Sequence, residues 1–105
     1  MGKIQELTTK AKFSLGKLTW TRGINKKIAD DEKFASFIWE SLKKHAKGDW
    51  GDLSKEDKQE NEFSLDKYLR LFSAYIYEKN GRDFEIWIIT EADRSSTTIL
   101  SPGEY

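Results

Sequence analysis

The sequence predicts an α+β fold: helices packed on one face of a small antiparallel sheet, in the order β-α-α-β-β-β. Three observations carry this. Phe34, Ile38, Leu42 and Ala46 recur every four residues, the mark of a helix with one apolar stripe. "RLFSAYIYE" and "FEIWIITE" flank "KNGR", and Asn-Gly is the strongest short hairpin signal. Helices and strands come in separate runs rather than alternating, which favours α+β over a parallel α/β sheet.

The elements follow in order. Residues 1–12 are polar and weakly patterned, and are read as an extension before a single domain spanning 13–105. "KFSLGKLTWT" reads as a strand, with Phe13 and Leu15 in one phase and Leu18 and Trp20 in the other. Gly16 marks the phase change, where a bulge fits. "TRGIN" turns the chain, and a weak helical turn is expected around Ile24 to Ala29. The first long helix is capped by Asp30 or Asp31 and favoured by Glu32 at its positive end. Lys43, Lys44 and Lys47 suit its negative end, and Gly48 supplies the left-handed residue that ends it. A second helix starts at Ser54, with Asp57 completing a capping-box pattern. Its "KEDKQENEFSLDKYL" is so polar that it is expected to lie exposed. With Asn80 and Gly81 at the turn, Leu71 pairs with Thr90, Phe72 with Ile89, Ala74 with Trp87, and Arg70 with Glu91. Both faces of this hairpin are largely apolar, so it is expected at the centre of the sheet. "TTIL" forms a last strand, which Pro102 and Gly103 end.

A chain of 105 residues can bury one modest core. It has no cysteine, so disulfides, thiolate metal sites and cysteine nucleophiles are excluded. No apolar run is long enough for a signal peptide or a membrane span, and a cytoplasmic protein is expected. Charge sums to zero but is uneven: residues 1–30 carry seven Lys or Arg against two acids, residues 31–66 six against ten. The basic first third offers an electrostatic handle for nucleic acid or an acidic partner, or is simply a solvated arm.

Two polar clusters and one histidine are the candidates for chemistry. His45 stands in the last turn of the first long helix, where the helix end would stabilise its protonated form. His45, Asp49 and Asp52 are close in sequence and, with Asp93 converging from the hairpin end, would make a small hydrolase or metal site, though no fourth ligand is adjacent in sequence. "GDWGD" has a simpler reading: Gly48 and Gly51 supply positive φ, the aspartates bond nearby amides, and Trp50 plugs the junction between helices. In "TEADRSSTT", Arg94 beside hydroxyls could hold a phosphate, or could pair with Asp49 or Asp52. Neither a phosphate loop nor Ser-His-Asp spacing occurs, so no catalytic residue and no cofactor is expected. Four Trp, four Tyr and six Phe are many for this length. Trp20, Trp39 or Tyr75 is expected to stay exposed and to mark an interface.

"HAKGDWGDLSKEDKQENE", "LFSAYIY" and "WIITEADRSSTTILSPGEY" resemble a family of small bacterial proteins described as plasmid-related, sometimes as a type I restriction subunit. The resemblance runs from about Phe13 to Tyr105 and rests on Asp49, Trp50, Gly51, Asp52, Ser73, Ala74, Tyr75, Asp93 and Arg94 in order. Where that family carries Pro-Gly after the first strand, this chain has Arg22-Gly23. The resemblance implies cargo of plasmids, phages and integrated elements. It implies no activity, and a methyltransferase role lacks its cofactor loop here.

The expectation is therefore a non-enzymatic accessory protein that binds another protein. Its surface would be Asp49, Trp50, Asp52, Glu91, Asp93, Arg94 and Thr97. The alternatives are a nucleic-acid-binding module using the basic first third and exposed aromatics, and the hydrolase or metal enzyme at His45, Asp49, Asp52 and Asp93.

Overall fold

A computed structural model describes residues 11–105. The element order is β1 (Lys17–Trp20), α1 (Arg22–Asp30), α2 (Glu32–Ala46), α3 (Lys55–Lys67), β2 (Leu71–Lys79), β3 (Arg82–Thr90) and β4 (Ser96–Leu100), then a 3₁₀ turn, Pro102–Glu104. The fold is α+β, as expected. Residues 1–10 of the extension lie outside the described residues.

The four strands stand in the order β1-β4-β3-β2. The hairpin register is the expected one, Leu71 opposite Thr90 through Lys79 opposite Arg82, and Asn80 and Gly81 both take positive φ. Two expectations about the sheet need correction. It is mixed, because β1 runs parallel to β4, Leu18 beside Thr97 and Trp20 beside Ile99. The hairpin is also not wholly central: β3 is interior, while β2 is an edge. Its second apolar face has a different cause, described below.

α1 and α2 cover one face. Ile24, Phe34, Ile38 and Leu42 meet Tyr75, Ile86, Ile88 and Ile99 in one buried cluster. Fully burying side chains of this size stabilises by roughly 1.5–3 kcal/mol each. α1 is a full helix, not the weak turn its sequence suggests. Thr21 caps it, and Glu104 reaches back from the far end of the chain. The Glu104 carboxylate accepts from the Thr21 hydroxyl at 2.6 Å and from the Gly23 amide at 3.0 Å. A carboxylate at the positive helix end fixes nucleation that local sequence does not.

Asp31 caps α2, accepting from the Lys33 and Phe34 amides at 3.0 and 3.3 Å. The first strand is shorter than expected. Only Lys17–Trp20 pairs, while Phe13 and Leu15 precede it. Gly16, at φ +63°, lets the chain touch the backbone of Arg94 and Ser95, where a Cβ would collide.

α3 starts at Ser54, whose hydroxyl accepts from the Asp57 amide at 3.1 Å. It is exposed as expected, with only Asn61 and Ser64 buried. It lies along the outer edge of β2. In this register Phe72, Ala74 and Ile76 turn their backbone groups away from β3. Asn61 pairs with both groups of Phe72, donating to its carbonyl and accepting from its amide. The Ala74 amide donates to the Trp50 carbonyl, and the Ala74 carbonyl accepts from the Asp52 amide. The Ile76 amide donates to the Asp52 carboxylate at 3.1 Å. A side chain and a loop thus satisfy the edge where a fifth strand would pair.

Candidate functional site

The "GDWGD" segment is this edge cover. Gly48 ends α2 at φ +82° and Gly51 follows at φ +77°. A Cβ on Gly51 would strike the Ala74 carbonyl oxygen and the Tyr75 ring, so only glycine lets the loop pair with β2. Asp49 accepts from the Gly51 amide, and its carbonyl accepts from the Tyr75 hydroxyl at 2.6 Å. Trp50 is 3% exposed. It stacks on Phe13, meets His45 edge-on, and donates its indole N–H to Glu62 of α3 at 2.7 Å.

Arg94 is equally internal, at 8% exposure, and pairs with neither Asp49 nor Asp52. Its guanidinium donates to the carbonyls of Leu69, Glu91, Ala92 and Ser64. The rings of Phe13 and Tyr68 flank it, at 5.8 and 5.5 Å from their centroids. The charge therefore serves the carbonyls at the end of α3 and the β3–β4 loop. Its Nε, also buried, has no partner among the described residues. Phe13 touches both Trp50 and Arg94, so the two motifs meet across one ring rather than through an ion pair.

Thr97 is fully buried and completes a directed chain of hydrogen bonds. Its hydroxyl donates to the Leu15 carbonyl at 2.7 Å, so it accepts from Thr90, also at 2.7 Å. Thr90 must then accept from His45 Nε2, at 2.9 Å, which leaves Nδ1 bare to accept from the Ser73 hydroxyl at 2.5 Å. The chain of bonds thus fixes the neutral His45 tautomer with its proton on Nε2. The expected protonated form is corrected. Burial, with Arg94 adding like charge, lowers the His45 pKa to about 3. The helix end cannot offset that desolvation.

Three of the seven expected surface residues, Trp50, Arg94 and Thr97, therefore lie inside. Asp49, Asp52 and Asp93 are exposed, and Glu91 is half-buried. Asp93 accepts from the Ser95 amide at 3.0 Å, and Glu91 faces Arg70 at 3.6 Å. The hydrolase or metal set does not converge either. His45 is sealed from solvent, and no group of three acids or histidines among the described residues could hold a metal ion. Of the aromatics expected to be exposed, Trp20 is, Trp39 is half-buried and Tyr75 is buried.

The open apolar feature is on the sheet face opposite α1 and α2. Arg70, Phe72, Trp87, Ile89 and Tyr105 line a groove of about 340 Å³. Phe72 and Trp87 meet edge-to-face at 5.1 Å, and Tyr105 meets Trp87 at 5.7 Å. Arg70 lies 5.5 Å from the Tyr105 ring centroid and donates to its hydroxyl at 2.8 Å. The hairpin register already places Phe72 and Ile89 opposite each other and Arg70 across from Glu91, so this face was legible. Tyr105 was not, because only the 3₁₀ turn after Pro102 brings it back over β3.

Comparison with known proteins finds no matching family model, no matching curated protein and no matching solved structure. Among the described residues no helix is long and apolar enough to cross a membrane.

Proposed function

We propose that this chain is a non-enzymatic accessory protein that binds another protein through the groove of Arg70, Phe72, Trp87, Ile89 and Tyr105. The observation that supports this is the groove's composition: aromatic and aliphatic walls with one exposed arginine at the rim. Such a mixture is enriched where interfaces concentrate their binding energy. The polar residues that suggested catalysis are instead engaged in holding the fold. The sequence resemblance to plasmid-related bacterial proteins supplies the setting of the proposal. The protein would work in the cytoplasm for a mobile element, on a host-defence or element-maintenance partner.

The test is affinity capture from a bacterial lysate with three forms of the protein. They are the wild type, the Arg70→Glu/Trp87→Ser variant, and a Lys55→Glu/Lys58→Glu control on the exposed face of α3. One specific protein is expected with the wild type and the control, and is expected to be lost with the groove variant while its circular dichroism is unchanged. A captured set indifferent to the groove variant contradicts the proposal.

A further inference from the structure

At the far end of the hairpin, away from the groove, lies a second concavity. Lys27 of α1, Tyr77 and Lys79 of β2, Arg82 and Phe84 of β3, and Asn80 with Asp83 line a cleft of about 650 Å³. Its charges are arranged at an energetic disadvantage. Lys79 and Arg82 are direct cross-strand partners on the face that turns toward the helices, beside Tyr77 and Phe84. Like charges placed so repel each other. Lys27 brings a third cation from across the cleft, its ammonium 4.7 Å from the Phe84 ring centroid.

One carboxylate answers them. Asp31 accepts from Lys79 at 3.0 Å and from the Tyr77 hydroxyl at 2.9 Å. Neither Lys27 nor Arg82 forms an ion pair with another described residue. Asp83 reaches the rim, but alternation along β3 sets it beside Glu78 on the opposite face.

We propose that this cleft binds a small phosphorylated ligand, its phosphate held between Lys27 and Arg82 with Lys79 alongside. Multiply charged oxygens between converging cations match the chemistry of phosphate recognition. A compact ligand fits better than a nucleic-acid strand. The cations converge on one hollow from three elements, whereas a strand needs a basic track. Here Asp83 stands at the rim and Asp31 already holds Lys79, so no continuous basic track leads away from the hollow. The Lys27 ammonium lies over the Phe84 ring, where a base would otherwise stack.

The experiment is a titration of the full chain with inorganic phosphate and with ribose 5-phosphate, read by amide chemical shifts at constant ionic strength. Shifts are expected at Lys27, Tyr77, Lys79, Arg82 and Phe84. Affinity for both probes should fall about tenfold in Lys27→Gln/Arg82→Gln, consistent with loss of charge-assisted contacts. Asp31→Asn keeps the cap of α2 and removes the competing carboxylate, so it should bind both probes more tightly. Shifts scattered over the surface, or affinity unchanged in the double variant, overturn the proposal. So does weaker or unchanged binding in Asp31→Asn. A short oligothymidylate that binds at the cleft more tightly than ribose 5-phosphate, with steep salt dependence, overturns it in favour of a nucleic-acid site. None of these outcomes bears on the groove on the other sheet face.

Discussion

At His45 two electrostatic influences oppose each other. The end of α2 favours an imidazolium, while complete burial beside Arg94 disfavours it, and burial prevails. The unfolded chain has an ordinary histidine, so between pH 6.5 and about 3 it binds a proton that the folded chain refuses. Folding stability is therefore greatest above pH 6.5 and falls with acidification by up to about 1.4 kcal/mol per pH unit. Chemical denaturation from pH 8 to pH 4 should show this slope in the wild type and a flatter one in His45→Gln. Below that range Asp31 and Glu104 act in the same direction. Hydrogen bonds from Lys79 and from Thr21 hold each carboxyl at about 2, so the stability they add is present above the ordinary values of 3.8 for Asp31 and 4.5 for Glu104 and lost toward pH 2. Gly51 makes a steric case at the same scale. Gly51→Ala brings positive φ and a backbone collision together, and should cost more than about 2 kcal/mol by urea unfolding. Gly48→Ala meets only the flexible Lys12 side chain and should cost about 1 kcal/mol.

The edge of β2 is where the elements depend on each other most. Asn61 stands in for a neighbouring strand at Phe72, so Asn61→Ala leaves a half-buried amide and carbonyl without their protein partner. The expected loss is about 2 kcal/mol by denaturant unfolding, with faster aggregation on heating because the edge is opened. Arg94 joins the end of α3 to the β3–β4 loop through four carbonyls. Arg94→Ala should cost about 3 kcal/mol, and Arg94→Lys should recover only part of it, since one ammonium cannot span them. What the sequence disclosed at this scale was whatever is local. The Asn80-Gly81 register, the Asp31 and Ser54 caps, the Gly48 stop and the exposed α3 all follow from neighbours within a few residues. The misses depend on distant partners. α1 needs Glu104, the parallel alignment of β1 needs β4, and the arginine carbonyl nest needs Ser64 and Leu69. The two apolar hairpin faces were visible, but their meaning was not. The second face borders an open groove instead of a second covering layer.

For the molecule as a whole, several polar residues that look chemical in sequence turn inward, and several apolar residues that look like core turn outward. His45, Ser73, Thr90 and Thr97 form a closed polar chain inside, while Phe72, Trp87 and Tyr105 line the outer groove. That inversion puts the polar network on the helix-covered face of the sheet and the open groove on the opposite face at the same end of the hairpin. Site-specific photocrosslinking tests it most directly. A benzophenone amino acid is placed at position 105, or at position 58 on α3, and the protein is irradiated with the partner recovered by the wild type. Crosslinks from position 105 and none from position 58 are predicted. Crosslinks from position 58 without any from position 105 would contradict the groove as the binding surface.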